Sequence, residues 1–248
     1  MNLVNFRDVA STAGPYLRAG RLYRSAQPSG LTAADLAQAV PGLRSVIDLR
    51  GPEERTEGDW DAARELGATV VGLAGEGSPG SLAALPPGLT LGGLYVLMLD
   101  HRPAWFASVV AAIADGLPAL VNCAAGKDRT GLGVALVLDL VGAGREDIVR
   151  DYTATAPAMP AVLAMLGLPA GTAGSGGSAG SAGTAGSGGC AGGRYGAAAG
   201  IGGLLDAPAQ AIEAFLDALA ERGGAEAVLT RHGLTPDHVQ RLRAALTA

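Results

Sequence analysis

A cysteine and an arginine lie six positions apart in the segment Asn-Cys-Ala-Ala-Gly-Lys-Asp-Arg-Thr-Gly, residues 122–131. The segment joins a predicted strand to a predicted helix, so its amide groups can surround a tetrahedral dianion at a helix N-terminus. The same amides and the helix dipole favour the thiolate form of Cys123. The planar guanidinium of Arg129 matches two phosphate oxygens. We therefore predict that Cys123 attacks the phosphorus of a phosphate ester.

The other residues of this loop supply the remaining contacts to phosphate. Gly126 permits backbone conformations that a loop curled around an anion needs. Lys127, the only lysine of the chain, is expected to lie over the pocket mouth as a second cation. With Ala124 and Ala125 these residues form the predicted substrate-binding set, and the Thr130 hydroxyl is expected to donate to the departing thiolate. The alternative is an ordinary strand-to-helix turn with a buried cysteine.

Two carboxyl groups could protonate the leaving oxygen and later activate water. Asp128, on the rim of the loop, is the first candidate, and its alternative role is a salt bridge or a contact at the helix N-terminus. Asp48, at the end of another predicted strand, is the second candidate. We include Asp48 in the substrate-binding set as well.

Strands that alternate with helices are predicted to position this loop. Three short apolar segments bounded by Gly or Pro predict strands: residues 43–49, 68–73 and 118–121. Three further segments predict helices: residues 53–66, the stretch after Gly88, and residues 129–141. The pattern indicates an α/β fold with a central, mostly parallel sheet, helices on both faces and a C-terminal helical addition.

Composition divides the chain into three predicted parts. Residues 1–167 form the α/β core. Residues 168–203 are a low-complexity insertion of Gly, Ala, Ser and Thr, which has too little side chain to offset the entropy of ordering it. Residues 204–248 are expected to form helices that pack on the core.

Charge and cysteine usage exclude several classes of protein. The net charge of −5 gives no basic stripe for nucleic acid. The N-terminus lacks the pattern of a signal peptide, and the longest apolar stretch, residues 103–121, is interrupted by an aspartate, a glycine and a proline. Cys123 and Cys190 offer neither a disulfide framework nor a zinc site. We expect a soluble, cytoplasmic protein without metal or cofactor.

Polar residues outside the loop are predicted to be mainly structural. Arg7 and Asp8 are expected to form an ion pair. Arg24 and Arg50 either border the pocket or form salt bridges at the end of the sheet. Three histidines without a motif partner favour surface or helix-end positions: His101, His232 and His238.

The loop and four further motifs resemble the bacterial tyrosine/serine protein phosphatase family. The loop has the pattern Cys-x-x-Gly-Lys-Asp-Arg-Thr-Gly. The other motifs are Asn-Phe-Arg-Asp-Val at 5–9, Leu-Tyr-Arg-Ser at 22–25, Val-Ile-Asp-Leu-Arg at 46–50 and Asp-Tyr at 151–152. The resemblance covers nearly the whole chain except roughly residues 74–92 and 168–205.

This resemblance implies a phosphatase-type fold, no metal, and hydrolysis of phosphotyrosine through a phosphocysteine intermediate. By position in the motif, Cys123 corresponds to the nucleophile, Arg129 to the phosphate clamp and Asp128 to the general acid. Some members of the family also act on phosphoserine, phosphothreonine or phosphoinositides, and Lys127 matches the signature linked with inositol phosphates. Phosphorylated proteins and phosphoinositides are therefore the candidate substrates.

Two departures from the family pattern bear on activity. The residue before the cysteine is usually His, and Asn122 can still donate to the loop backbone but carries no titratable charge. The insertion at 168–203 stands where relatives build a helical lid. Both departures favour weaker catalysis, and the alternative function is a phosphate-binding module that has lost turnover.

Overall fold

A five-stranded sheet lies at the centre of the protein, whose computed structural model describes residues 3–74, 88–168 and 206–247. The strands are β1 (Arg7–Asp8), β2 (Leu22–Ser25), β3 (Ser45–Asp48), β4 (Thr69–Gly72) and β5 (Ala119–Asn122). They lie in the order β1-β2-β5-β3-β4. The β1–β2 pair is antiparallel and the other pairs are parallel. The prediction of an α/β fold with a mostly parallel sheet is confirmed.

Helices surround this sheet. Within the described residues they are α1 (Ala10–Ala13), α2 (Ala33–Ala39), α3 (Asp61–Glu65), α4 (Leu91–His101), α5 (Pro103–Gly116), α6 (Asp128–Leu140), α7 (Arg145–Thr153), α8 (Met159–Met165), α9 (Ala209–Glu221), α10 (Gly224–Thr230) and α11 (Pro236–Leu246). Two 3₁₀ turns accompany them, at Pro52–Glu54 and Ala156–Ala158.

Both faces of the central strands are buried, and successive side chains of a strand point to opposite sides. In β5, Val121 packs in the larger apolar cluster with α5 and α6, and Leu120 packs in the smaller cluster with α2 and α3. In β3, Ile47 and Val46 divide in the same way. None of the four side chains is exposed to solvent, which explains why these strands are apolar without alternation.

The three C-terminal helices pack against the rest of the fold. α9 lies along α4, while α10 and α11 contact both α5 and α6. The ring of Phe215 on α9 lies 6.4 Å from that of Phe106 on α5, between centroids. Arg243 of α11 donates to the Leu140 carbonyl at the end of α6 over 2.9 Å. From residue 169 to 203 the predicted insertion lies outside the described residues, and the three-part division of the chain stays a prediction.

The single helix predicted over residues 53–66 is wrong. The segment forms the 3₁₀ turn Pro52–Glu54 and then, after a break, α3. In the break Gly58 has a φ of 84°, and the Asp59 carboxylate accepts a hydrogen bond of 2.8 Å from the Thr56 amide. This local side-chain bond offers the backbone an alternative to continuing the helix.

The helical stretch after Gly88 divides into α4 and α5, which meet at Arg102 with a bend of 86°. Pro103 follows the bend and disfavours the helical conformation at the residue before it. Among the described residues, no single helix is long and apolar enough to cross a membrane, although this bent pair together meets the criteria of length and composition.

Candidate active site

The loop lies at the carboxyl edge of the sheet, where three parallel strands end side by side. Asn122 of β5 pairs with Ser25 of β2 and with Asp48 of β3. The loop then turns into α6, which begins at Asp128. Ligands of open α/β sheets bind at this edge. Cys123 is only 2% exposed and belongs to the larger apolar cluster, so its sulfur lies beneath the loop rather than on the surface.

Gly126 brings the loop into close contact with the end of β2. Its φ is +67°, in the left-handed region that favours glycine. A Cβ at this position would lie 2.3 Å from the carbonyl oxygen of Ser25 and 2.6 Å from the amide nitrogen of Ala26. The predicted need for glycine in the loop therefore has two causes, the backbone conformation and the lack of space.

Carbonyl groups of the loop are bound on its outer side. The Asn5 amide donates to the carbonyls of Ala125 and Gly126, both over 3.1 Å. Arg24 donates to the Gly126 carbonyl over 2.7 Å. In a trans peptide the C=O and the following N–H point in opposite directions. The amides of Gly126 and Lys127 therefore point away from Asn5 and Arg24.

A buried ion network holds these two donors. Asp151 of α7 accepts from Arg24 over 2.5 Å and from Arg7 over 3.0 Å, and Arg7 also donates to the Asn5 side chain over 2.8 Å. Burial alone would raise the pKa of Asp151, but Arg24 and Arg7 lower it below the ordinary value. The predicted ion pair of Arg7 with Asp8 is wrong, since Asp8 accepts from backbone amides instead.

Arg129 is held in place by a carboxylate that the loop motif does not contain. Glu54, in the 3₁₀ turn after β3, accepts from both terminal nitrogens of the guanidinium, each over 2.6 Å. The Leu49 carbonyl accepts from Nη1 over 2.9 Å, and the Gly51 amide donates to Glu54 over 2.7 Å. This bidentate pair fixes the plane of the guanidinium.

Asp128 is the end of a chain of hydrogen bonds that starts inside the core. Its Oδ1 atom accepts a short hydrogen bond from the Tyr95 hydroxyl, whose oxygen lies 2.7 Å from that of Tyr152. Burial, followed by the negative charge of Asp128, raises the pKa of both tyrosines well above the ordinary value. Both hydroxyls therefore remain protonated at neutral pH. The Asp128 side chain is 37% exposed, as a proton donor to substrate must be.

Lys127 occupies a different position from the expected one. Its side chain is 2% exposed, and its ammonium group donates to the Asp206 carbonyl over 2.8 Å. It also lies 3.4 Å from Oδ1 of Asp128. The structure thus shows a link between the loop and the segment that precedes α9. A direct role of Lys127 in substrate binding stays a prediction.

Asp48, the second candidate acid, is 1% exposed and surrounded by donors. It accepts from Arg50 over 2.7 Å, from the Trp60 indole over 3.1 Å and from Asn122 over 3.2 Å. Burial would raise the pKa of Asp48, but the hydrogen bond and charge of Arg50 lower it. Asp48 is buried and bound by three donors, whereas the Asp128 side chain is 37% exposed, so the geometry favours Asp128 as the acid. Asn122 donates to the Asp48 side chain rather than to the loop backbone.

Two buried polar atoms of the segment have no hydrogen-bond partner among the described residues: the Thr130 hydroxyl and Oδ1 of Asn122. The Thr130 hydroxyl therefore makes no hydrogen bond to Cys123, and its role toward the departing thiolate stays a prediction. An unpaired buried donor costs free energy, which a bound ligand oxygen would recover. The described residues contain no group of three side chains suited to bind a metal ion.

Several residues of the site lie outside the loop: Asn5, Arg24, Glu54, Tyr95, Asp151 and Tyr152. Four of them belong to motifs that carry the resemblance, but their role behind the loop was not apparent from the sequence. Glu54 and Tyr95 belong to no such motif. Nothing in the sequence around these two residues marks them as functional, and only the fold brings them to the loop.

A mostly parallel sheet and a Cys-to-Arg loop that joins its carboxyl edge to a buried helix are the arrangement expected of a cysteine-dependent phosphatase. The chain belongs to the tyrosine phosphatase family, whose model matches residues 1–248. The resemblance stated from the motifs is thereby confirmed.

Two relatives have descriptions that agree with this family. The triple specificity protein phosphatase PtpB of Mycobacterium tuberculosis is 34% identical, over 60% of this chain and 65% of its own length. A tyrosine-protein phosphatase of Cupriavidus necator is 33% identical, over 60% of this chain and 59% of its own. The chain thus spans less than two thirds of the length of these curated relatives.

Among solved structures, the core catalytic domain of the PP-IP phosphatase SIW14 from S. cerevisiae is similar to this chain. It has 18% identity and a TM-score of 0.40, over 62% of this chain and 77% of its own.

Proposed function

We propose that this chain is a cytoplasmic, cysteine-dependent phosphatase that hydrolyses phosphotyrosine in proteins through a phosphocysteine intermediate on Cys123. Phosphoserine and phosphothreonine are further candidate substrates. The observation that carries the proposal is the orientation of the loop, because Asn5 and Arg24 bind its carbonyls and turn the following amides to the opposite side. Family membership and the acid at Asp128 agree with it. A thiolate nucleophile also suits the reducing cytoplasm.

Substrate binding uses the amides and Arg129. The amides of Gly126 and Lys127 supply fixed dipoles to the phosphate oxygens. The guanidinium has two edges that can each hold an anion by paired hydrogen bonds. Glu54 takes the edge formed by Nη1 and Nη2. In the proposed complex Arg129 donates to the phosphate oxygens, in a plane that Glu54 sets.

The reaction has two steps. The thiolate of Cys123 attacks phosphorus, the bond to the leaving oxygen breaks, and that oxygen takes the proton of Asp128. Water then attacks the phosphocysteine and gives a proton to the Asp128 carboxylate, and the sulfur leaves as thiolate. The same aspartate thus acts first as acid and then as base.

Phosphoinositides are the second candidate class of substrate. The sequence suggests them through Lys127, but the ammonium group of this residue is buried against the Asp206 carbonyl. The buried position of Lys127 supports phosphoinositide substrates less than the sequence of the loop does. Phosphoproteins are therefore the substrates that we propose first.

The test compares the wild type with Cys123→Ser on p-nitrophenyl phosphate in the presence of a chelator. We expect turnover by the wild type and none by the variant, with Cys190→Ser as the matched control that retains activity. Equal rates for wild type and Cys123→Ser would overturn the proposal. A wild type that releases one equivalent of nitrophenol and then stops would favour the alternative, a phosphate-binding module without turnover. A panel of phosphotyrosine, phosphoserine and phosphoinositide substrates then defines the class.

A further inference from the structure

Two buried tyrosines approach the candidate acid from the side opposite to solvent. Tyr95 lies on α4 and Tyr152 on α7, and they are 0% and 1% exposed. Their rings meet edge to face with centroids 6.1 Å apart. The hydroxyl of Tyr95 contacts both the Tyr152 hydroxyl and Oδ1 of Asp128. Neither tyrosine exchanges a proton with the substrate in the two proposed steps.

The direction of the two hydrogen bonds follows from the number of protons. The Tyr95 hydroxyl has one proton, and a carboxylate oxygen can only accept. Tyr95 must therefore donate to Asp128, and Tyr152 must donate to Tyr95. The chain of donors runs from the core toward the rim of the loop, and it ends on Oδ1.

The other contact of Oδ1 is also a donor, the Lys127 ammonium at 3.4 Å. A proton on Oδ1 would face both the Tyr95 hydroxyl and this positive charge. When Asp128 is protonated, its proton therefore resides on Oδ2. No hydrogen bond to Oδ2 occurs among the described residues, and the side chain is 37% exposed.

The sequence holds this arrangement rigidly. A Cβ on Gly131 would lie 3.0 Å from the ring of Tyr152, so glycine at this position lets the ring approach α6. On α4, a Cβ on Gly92 would lie 2.8 Å from the Cβ of Ala214 on α9. Glycine there allows the close packing of α4, which carries Tyr95, against α9.

We propose that Tyr95 is a positioning residue that keeps the acidic proton of Asp128 on the solvent-facing oxygen, with Tyr152 fixing the Tyr95 hydroxyl in the donating orientation. This inference rests on the proposed phosphatase function. When the bond between phosphorus and the leaving oxygen breaks, its electron pair stays on that oxygen, which takes the proton from Oδ2. The resulting negative charge on Asp128 is stabilised at Oδ1 by the Tyr95 hydroxyl. No other reactant is needed.

The test is Tyr95→Phe, which removes the hydroxyl and keeps the ring. The measured quantity is kcat/KM, which reports the transfer of the phosphoryl group to Cys123, for aryl phosphates with different leaving groups. Phenoxide is a basic leaving group and needs the proton, whereas 2,4-dinitrophenoxide is weakly basic and leaves readily without one. We expect about a tenfold loss on phenyl phosphate. The change on 2,4-dinitrophenyl phosphate should stay within about twofold.

The matched control is Tyr16→Phe. The Tyr16 hydroxyl also donates to a carboxylate, that of Asp147 at 3.1 Å, but outside the loop. Tyr16→Phe should lower kcat/KM by the same small factor on every substrate. An equal loss for Tyr95→Phe on both aryl phosphates would overturn the inference, because a purely structural role does not depend on the leaving group. A wild type inactive on every aryl phosphate would overturn the proposed function instead.

A second measurement remains decisive if Tyr95→Phe lowers the stability of the fold. In the Asp128→Asn background the acid is absent, so a residue that acts through it should have no further effect on phenyl phosphate. We expect Asp128→Asn with Tyr95→Phe to match Asp128→Asn alone within about twofold. Losses that multiply would show that Tyr95 acts independently of the acid, and the inference would fail.

Discussion

Replacement of Gly126 by alanine tests whether the geometry of the loop, and not only its residue types, determines activity. The new Cβ would lie 2.3 Å from the Ser25 carbonyl oxygen and 2.6 Å from the Ala26 nitrogen. Both are backbone atoms, and Ser25 belongs to a strand in the interior of the sheet. The sheet cannot move, so the loop must.

The magnitude follows from this distance. An ordinary contact of 3.4 Å requires a displacement of about 1 Å, and a misplacement of that size costs about 100-fold in rate. The φ of +67° adds a conformational cost of roughly 1–2 kcal/mol for any residue with a Cβ. We therefore expect kcat/KM of Gly126→Ala to fall about 100-fold while the protein remains folded.

Gly142→Ala separates the two effects. Gly142 has a similar φ of +83°, but a Cβ there meets nothing within 4 Å. Gly142→Ala should lower the free energy of unfolding by roughly 1–2 kcal/mol, and Gly126→Ala by at least as much because of its added clash, as measured by denaturant titration. Only Gly126→Ala should lose activity toward p-nitrophenyl phosphate. If both variants kept wild-type activity, the reasoning from a rigid loop would be refuted.

Three further predictions concern charged groups around the loop. Glu54→Gln should lower kcat/KM about tenfold, since the amide keeps only part of the bidentate pair with Arg129, and unchanged kinetics would contradict this. Asp151 has a folded-state pKa below its ordinary value of 3.8, so its stabilisation is present above that pH and lost as the pH falls through the lower folded value. Asp151→Asn should have a lower Tm than the wild type at pH 7, and its Tm should fall less as the pH is lowered. If the Tm of both proteins fell equally with pH, this prediction would be wrong. Lys127→Ala should reduce activity on phosphotyrosine and on phosphoinositides by similar factors. A loss confined to phosphoinositides would instead favour phosphoinositides as the substrates.

The loop was predictable because its chemistry is local. Cys123, Asp128 and Arg129 lie within one short segment, and glycine, lysine and a following apolar helix distinguish it from an ordinary turn. The central strands were also predictable, since burial on both faces requires continuous apolar runs. Strand β2 has no continuous apolar run, because the charged Arg24 lies within it. Arg24 can be buried only because it pairs with Asp151, which is distant in the sequence.

The partners of the loop were not predictable in this way. Glu54 lies 75 residues from Arg129, and Tyr95 lies 33 residues from Asp128. Contacts between such distant residues leave no periodic signal in a single sequence. For the same reason Lys127 suggested an exposed cation, although the fold places the Asp206 carbonyl within its reach.

The ion network behind the loop means that the dipoles for phosphate are aligned once, when the chain folds. In the proposed phosphatase the donors are in place before phosphate binds, so the substrate must supply little reorganisation energy. The N-terminal residues Asn5 and Arg7 take part in this alignment although they touch no substrate atom in the proposed reaction. We therefore expect loss of the first seven residues to abolish the proposed phosphatase activity, although every residue of the signature loop remains intact.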